Sequence, residues 1–156
     1  MKGRRFLTLL LLALLLAACS GRAERVRKEA LSSVERALEL ARSRPGMVGT
    51  DAQTQAAWTE VLLALDRAAD SLAECEGKGD ECLAAGLSAL LDADRQLRVV
   101  RQTGNVVRAA EFEALQSEVR QAVGLLYSYF YGRVPEAGEE WRGPPTPRLP
   151  GVCPPG

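Results

Sequence analysis

An all-α fold is expected for this chain of 156 residues: an antiparallel up-and-down bundle of about four helices, followed by a proline-rich tail. Three observations predict it. Apolar residues recur at spacings of three and four through four successive segments, and no segment shows the period of two that a half-buried strand requires. The connections between segments are short and rich in glycine, proline and charge, which returns each helix alongside its predecessor. Seven of the eight prolines then fall in the last 22 residues, where neither a helix nor a core can be built.

The chain begins with Met-Lys-Gly-Arg-Arg, followed by thirteen residues from Phe6 to Ala18 with a single polar side chain, Thr8. A basic start, a short apolar run and small residues at its end make a secretory signal. The run is well short of the roughly 20 apolar residues a membrane span needs. A buried core helix would not be apolar all round behind a basic terminus. Leu16-Ala17-Ala18-Cys19, closing this pattern, resembles the lipobox of bacterial lipoproteins. The resemblance covers residues 1–20. It implies removal of residues 1–18, a diacylglyceryl group on the Cys19 thiol and an acyl chain such as palmitate on the new amine. The alternatives are a signal cut without lipidation and a cysteine placed there by chance. Two or three chains anchor stably where one does not. The resemblance therefore places the protein in the bacterial cell envelope. Ser20, where an aspartate would favour inner-membrane retention, implies the periplasmic face of the outer membrane if the organism has one.

Residues 19–132 are expected to form the bundle. In the first segment Val26, Ala30, Val34, Ala37, Leu38 and Ala41 share a face, and Pro45-Gly46 ends the helix. Arg22, Arg25, Arg27 and Lys28 lie near the lipid, where they can touch anionic headgroups or form a solvated face with the interleaved glutamates. The second helix opens with Thr50 and Gln53 as a capping box. Its stripe is Trp58, Leu62, Leu65, Ala69 and Leu72, widened by Val61 and Ala68. Glu76 to Glu81 is a polar turn, and Asp80 is the expected cap of the third helix. That helix places Leu83, Leu87, Leu90, Ala93, Leu97 and Val100 inward. Gly104 stops it, a continuous helix being the alternative. The fourth runs from about Val106 to Tyr131, with Phe112, Leu115, Val119, Ala122, Leu126 and Phe130 on one face. Residues 133–156 are the proline-rich extended tail, which either lies over the bundle or reaches for a partner.

Composition excludes several classes of function. Without residues 1–18 the chain has 138 residues, 17 basic and 20 acidic, and no basic stripe of the kind a nucleic acid selects. Histidine is absent, which removes any histidine-dependent triad and the commonest metal ligand. Gly77-Lys78-Gly79 has no strand before it and makes no nucleotide loop. No cofactor and no metal are expected. The acidic neighbours Asp66 and Asp70, Asp92 and Asp94, Glu111 and Glu113 match solvated helix faces. A pair such as Asp66 and Asp70 is also the material for a carboxylate-dependent hydrolase.

Of the cysteines left after lipidation of Cys19, Cys75 and Cys82 flank one turn and suit a disulfide in an oxidising compartment. The alternative is two free thiols at the end of the bundle, and three cysteines allow three single-bridge pairings that sequence does not choose among. With Cys75 and Cys82 paired, Cys153 is the odd thiol, suited to an intermolecular bond or to none; it can also tie the tail to the bundle in place of that bridge. Tyr127, Tyr129 and Tyr131 cluster at the end of the fourth helix. They are either the aromatic end of the core or, together with Trp141, a partner-binding surface, since tyrosine and tryptophan are enriched at interface centres. The sequence thus reads as a lipid-anchored envelope protein, not an enzyme, acting as a helical protein-binding, assembly or structural module. Its expected partners are the membrane, through the anchor, and an envelope protein. A carboxylate-dependent envelope hydrolase and a passive spacer lipoprotein are the alternatives.

Overall fold

A computed structural model describes residues 2–75, 80–134 and 141, with the path of the helix alone for residues 2–20. Four helices follow one another: α1 (Lys2–Ser43), α2 (Ala52–Ala73), α3 (Asp80–Gln102) and α4 (Ala109–Tyr131). Each packs on the next and α4 closes back on α1, so the chain is an up-and-down four-helix bundle. The boundary between residues 18 and 19 falls inside the continuous α1.

The apolar stripes of α3 and α4 are the buried lines that their periodicity predicts: all six residues expected on each are in the core. In α2 the stripe is turned. Ala57, Val61, Ala64, Leu65, Ala68 and Leu72 are buried, whereas Trp58, Leu62 and Ala69 lie at its edge. The buried face of α2 is thus rich in alanine, whose small side chain permits close approach of a neighbouring helix.

The helix ends also depart from expectation for physical reasons. Asp51, rather than Thr50, caps α2: its carboxylate accepts from the Thr54 amide at 2.9 Å, a charge-assisted bond at the positive end of the helix dipole. The Asp51 carboxyl is held below its ordinary range, first by this backbone amide and then by the Thr54 hydroxyl. Asp80 begins α3, and its carboxylate accepts from the Tyr129 hydroxyl on α4 at 2.7 Å. The third and fourth helices are separate. Gly104 takes a left-handed φ of 72°, and α4 starts three residues later than the sequence suggests. The delay has a structural use. Val106 pairs with Val48 in an antiparallel bridge, and the Val107 and Arg108 amides donate to the Met47 carbonyl at 3.0 and 3.1 Å. Those amides would otherwise be orphan donors at the start of a helix.

Two glycines inside helices have opposite meanings. A methyl group on Gly86 would stand 2.8 and 2.9 Å from the Cδ2 and Cγ of the fully buried Leu72, whereas one on Gly124 would meet nothing within 4 Å. Replacing a helical glycine by alanine gains about 1 kcal/mol of propensity, and overpacking a core costs about 1–3 kcal/mol. Gly124→Ala should therefore raise the melting temperature. Gly86→Ala should lower it, with a net loss of about 1 kcal/mol. Parallel urea titrations of the two variants check the order, and a stabilised Gly86→Ala would refute the close-contact reading.

Candidate functional site

The bundle has two ends of different character. One, the base, joins the bundle's share of α1, the turn between α2 and α3, and the end of α4. The other carries the two loops that the Val48–Val106 bridge ties together.

At the base, Arg22 of α1 lies over the ring of Tyr129 of α4, its guanidinium carbon 5.9 Å from the centroid. The helices are antiparallel neighbours, so the three residues that precede Arg22 carry Cys19 about 4.5 Å further along the axis. That is the level at which α4 stops, at Gly132 with its left-handed φ of 75°. Cys19 thus lies on α1 where the four-helix section begins; its thiol, like Cys153 in the tail, is outside the described side chains.

The base is bound across all four helices. Cys75 and Cys82 are paired, with Cα atoms 5.3 Å apart, and close the turn from α2 to α3. Arg27 on α1 donates to the Leu72 carbonyl at the end of α2 at 3.0 Å and grips Glu24 at 2.7 Å. The hydrogen bond from Arg27, with the nearby charges of Arg27 and Lys28, lowers the Glu24 carboxyl to about 2. That depression favours the folded state above the ordinary glutamate range, and the benefit fades as pH falls toward the folded value.

The tyrosines divide. Tyr127 and Tyr129 are buried in the core. Tyr131 and Trp141 are half-buried and remain at the surface. Tyr131 stacks on Tyr127 at 4.3 Å between centroids, and Trp141 meets Tyr127 edge-on at 5.1 Å. Val134, between them in sequence, is 52% exposed.

At the opposite end an open cleft of about 240 Å³ lies between α3 and α4, lined by Arg101, Gly104, Val106, Ala109, Phe112 and Glu113. Arg101 stands 5.9 Å over the Phe112 ring and 3.8 Å from Glu113. Beside the cleft Val107 is 66% exposed. The loops behind it are locked by polar contacts: Thr54 to Thr103 at 2.9 Å, Asn105 to Asp51 at 2.8 Å, and the Gly49 amide to the Asn105 carbonyl at 2.6 Å.

The acidic pairs are dispersed. Asp66 is half-exposed and paired with Arg42 of α1 at 2.5 Å, while Asp70 is exposed one turn away. Glu113 faces Arg101, Glu111 faces Arg108, and Asp92 faces Arg95. Asp94 differs. It is 1% exposed on α3, bound through one oxygen to Arg98, while its other oxygen stands 3.6 Å from Arg120 of α4 without a hydrogen bond. Periodicity carries a trace of this: Asp94 follows Leu90 by four residues and precedes Leu97 by three, on the buried stripe.

Among the described residues no cluster of three or more histidine, cysteine or acidic side chains could hold a metal ion, and no helix is long and apolar enough to cross a membrane. Compared with protein-family models, with curated proteins and with solved structures, the chain matches none.

Proposed function

We propose that this chain is a lipid-anchored protein of the bacterial cell envelope whose helical bundle acts as a protein-binding or assembly module. One observation carries the reading: the lipobox cysteine coincides with the edge of the folded unit. Cys19 ends a secretory pattern, and it stands on α1 at the level where α4 stops. Cleavage there would remove the leader and leave the four-helix section whole. The new N-terminus would then be joined to the bundle by unbroken helix, without a linker.

An anchor at the base turns the opposite end, with its cleft and Val107, away from the membrane. That end is rigid, because loops from both halves of the chain are bonded to each other. A rigid surface with an apolar floor and a half-exposed arginine suits protein recognition.

Labelling cells with radioactive palmitate and fractionating their envelopes tests the anchor. The full-length chain should carry label and sediment with membranes, whereas Cys19→Ser should lose both; label that survives Cys19→Ser would overturn the reading. Photo-cross-linking from position 107 in native envelopes tests the binding half. A discrete adduct of fixed stoichiometry supports a module, and recovery of the chain alone leaves a passive spacer.

A further inference from the structure

We propose that the α1–α4 side of the base is a bilayer-contact surface, which seats the bundle on anionic lipid headgroups beside its own anchor. The proposal rests on lipidation at Cys19 and goes beyond it, by naming the face that touches the membrane and the side chains that do so.

Arg22 and Arg25, both exposed, lie about 4.5 and 9 Å along α1 from Cys19. Both distances are within the ~10 Å over which charges act in about 0.1 M salt. An unbroken helix gives these residues no slack to move away from a bilayer that holds the lipid chains.

Where α4 ends, the surface presents Tyr131, exposed Arg133, exposed Val134 and half-buried Trp141. Tyrosine and tryptophan, with an apolar body and a polar tip, are the side chains that settle at headgroup level. The aromatic pair is held in place rather than swinging, because both rings rest on the buried Tyr127.

Charge is divided across the base. On the α1 side Glu24 is neutralised by Arg27 and Lys28, leaving Arg22 and Arg25 as the exposed charges nearest Cys19. On the α2–α3 side Glu81, in the first turn of α3, is exposed. An anionic bilayer attracts the first half and repels the second. The bundle therefore leans on its α1–α4 edge, with the disulfide turn lifted from the surface.

The chain's two tryptophans supply the test. Trp141 is at the base, while Trp58 sits about 22 Å along α2 from its basal end. Full-length lipidated protein is reconstituted into vesicles of phosphatidylethanolamine and phosphatidylglycerol with brominated acyl chains, which quench tryptophan on near contact. In Trp58→Phe the remaining Trp141 emission should fall relative to vesicles without bromine, as expected for a ring at the membrane interface. In Trp141→Phe the emission of Trp58 should stay unchanged. Adding Arg22→Glu and Arg25→Glu to Trp58→Phe, or omitting phosphatidylglycerol, should remove most of the Trp141 quenching while the protein still floats with the vesicles. Flotation with Trp141 unquenched overturns the contact surface and leaves the anchor standing. Quenching indifferent to phosphatidylglycerol and to the arginines overturns the headgroup assignment. Failure to float overturns both.

Discussion

Arg98→Ala is expected to destabilise the bundle by about 2–3 kcal/mol, while Asp94→Leu, which removes the other partner of the same ion pair, leaves it as stable as before or about 1 kcal/mol more so. The asymmetry follows from exposure. Asp94 is 1% exposed, and Arg98 and Arg120 are 47% and 56% exposed. When Arg98 is lost, a buried carboxylate keeps only Arg120, whose Nε is 3.6 Å away and makes no hydrogen bond to it. Breaking a buried pair in this way typically costs about 3–5 kcal/mol, and the half-exposed arginine places this pair below that range.

When Asp94 is lost instead, both guanidinium groups turn to water at little expense. One carboxylate oxygen already lacks a hydrogen bond, a burden of about 1–3 kcal/mol that leucine relieves. Leucine also continues a stripe on which Leu90 and Leu97 are fully buried. Urea unfolding at neutral pH, with slopes compared across the three proteins, decides the matter. If Asp94→Leu loses more than Arg98→Ala, then the carboxylate and not apolar packing holds α3 to α4, and the argument is wrong.

The bundle was legible in the sequence because its physics is local. A buried stripe on α3 or α4 needs only a period near 3.6, and Leu83 to Val100 and Phe112 to Phe130 carry it without interruption. The orientation of α2 was less legible, because Trp58 and Leu62 are the bulkier apolar residues, yet Ala57, Ala64 and Ala68 are the ones buried. Helix ends depended on partners distant in sequence: Val106 is paired with Val48 ahead of α4, and Asp80, in the first turn of α3, also accepts from Tyr129. Gly86 and Gly124 are indistinguishable until Leu72 is placed beside one of them. The same limit applies to the tyrosines. Spacing puts Tyr127 and Tyr131 on one face, but only the neighbouring helices decide that Tyr127 is enclosed and Tyr131 is not. What no pattern announces is the level of Cys19 against Gly132, since it arises from pairing the two ends of the chain.

Replacing both Cys75 and Cys82 by alanine is expected to lower the melting temperature by about 10 °C, which corresponds to about 2.5 kcal/mol. The bond joins residues seven apart, a loop of eight residues, and the chain-entropy estimate for a loop of that size gives the energy. Cα atoms 5.3 Å apart are at ordinary disulfide spacing, so the turn accepts the link without backbone displacement. The effect is not confined to the turn. Asp80 takes a hydrogen bond from Tyr129 of α4, and the Leu72 carbonyl takes one from Arg27 of α1. A turn freed to move loosens both contacts and with them the base of the bundle. Wild-type protein in a dithiol reductant should melt where the double variant melts, and the double variant should be indifferent to reductant. A reductant response that persists in the double variant would place Cys153 in a second bond. A wild-type melting temperature unmoved by full reduction would mean that helix packing alone holds the turn, and the assigned stabilisation would be wrong.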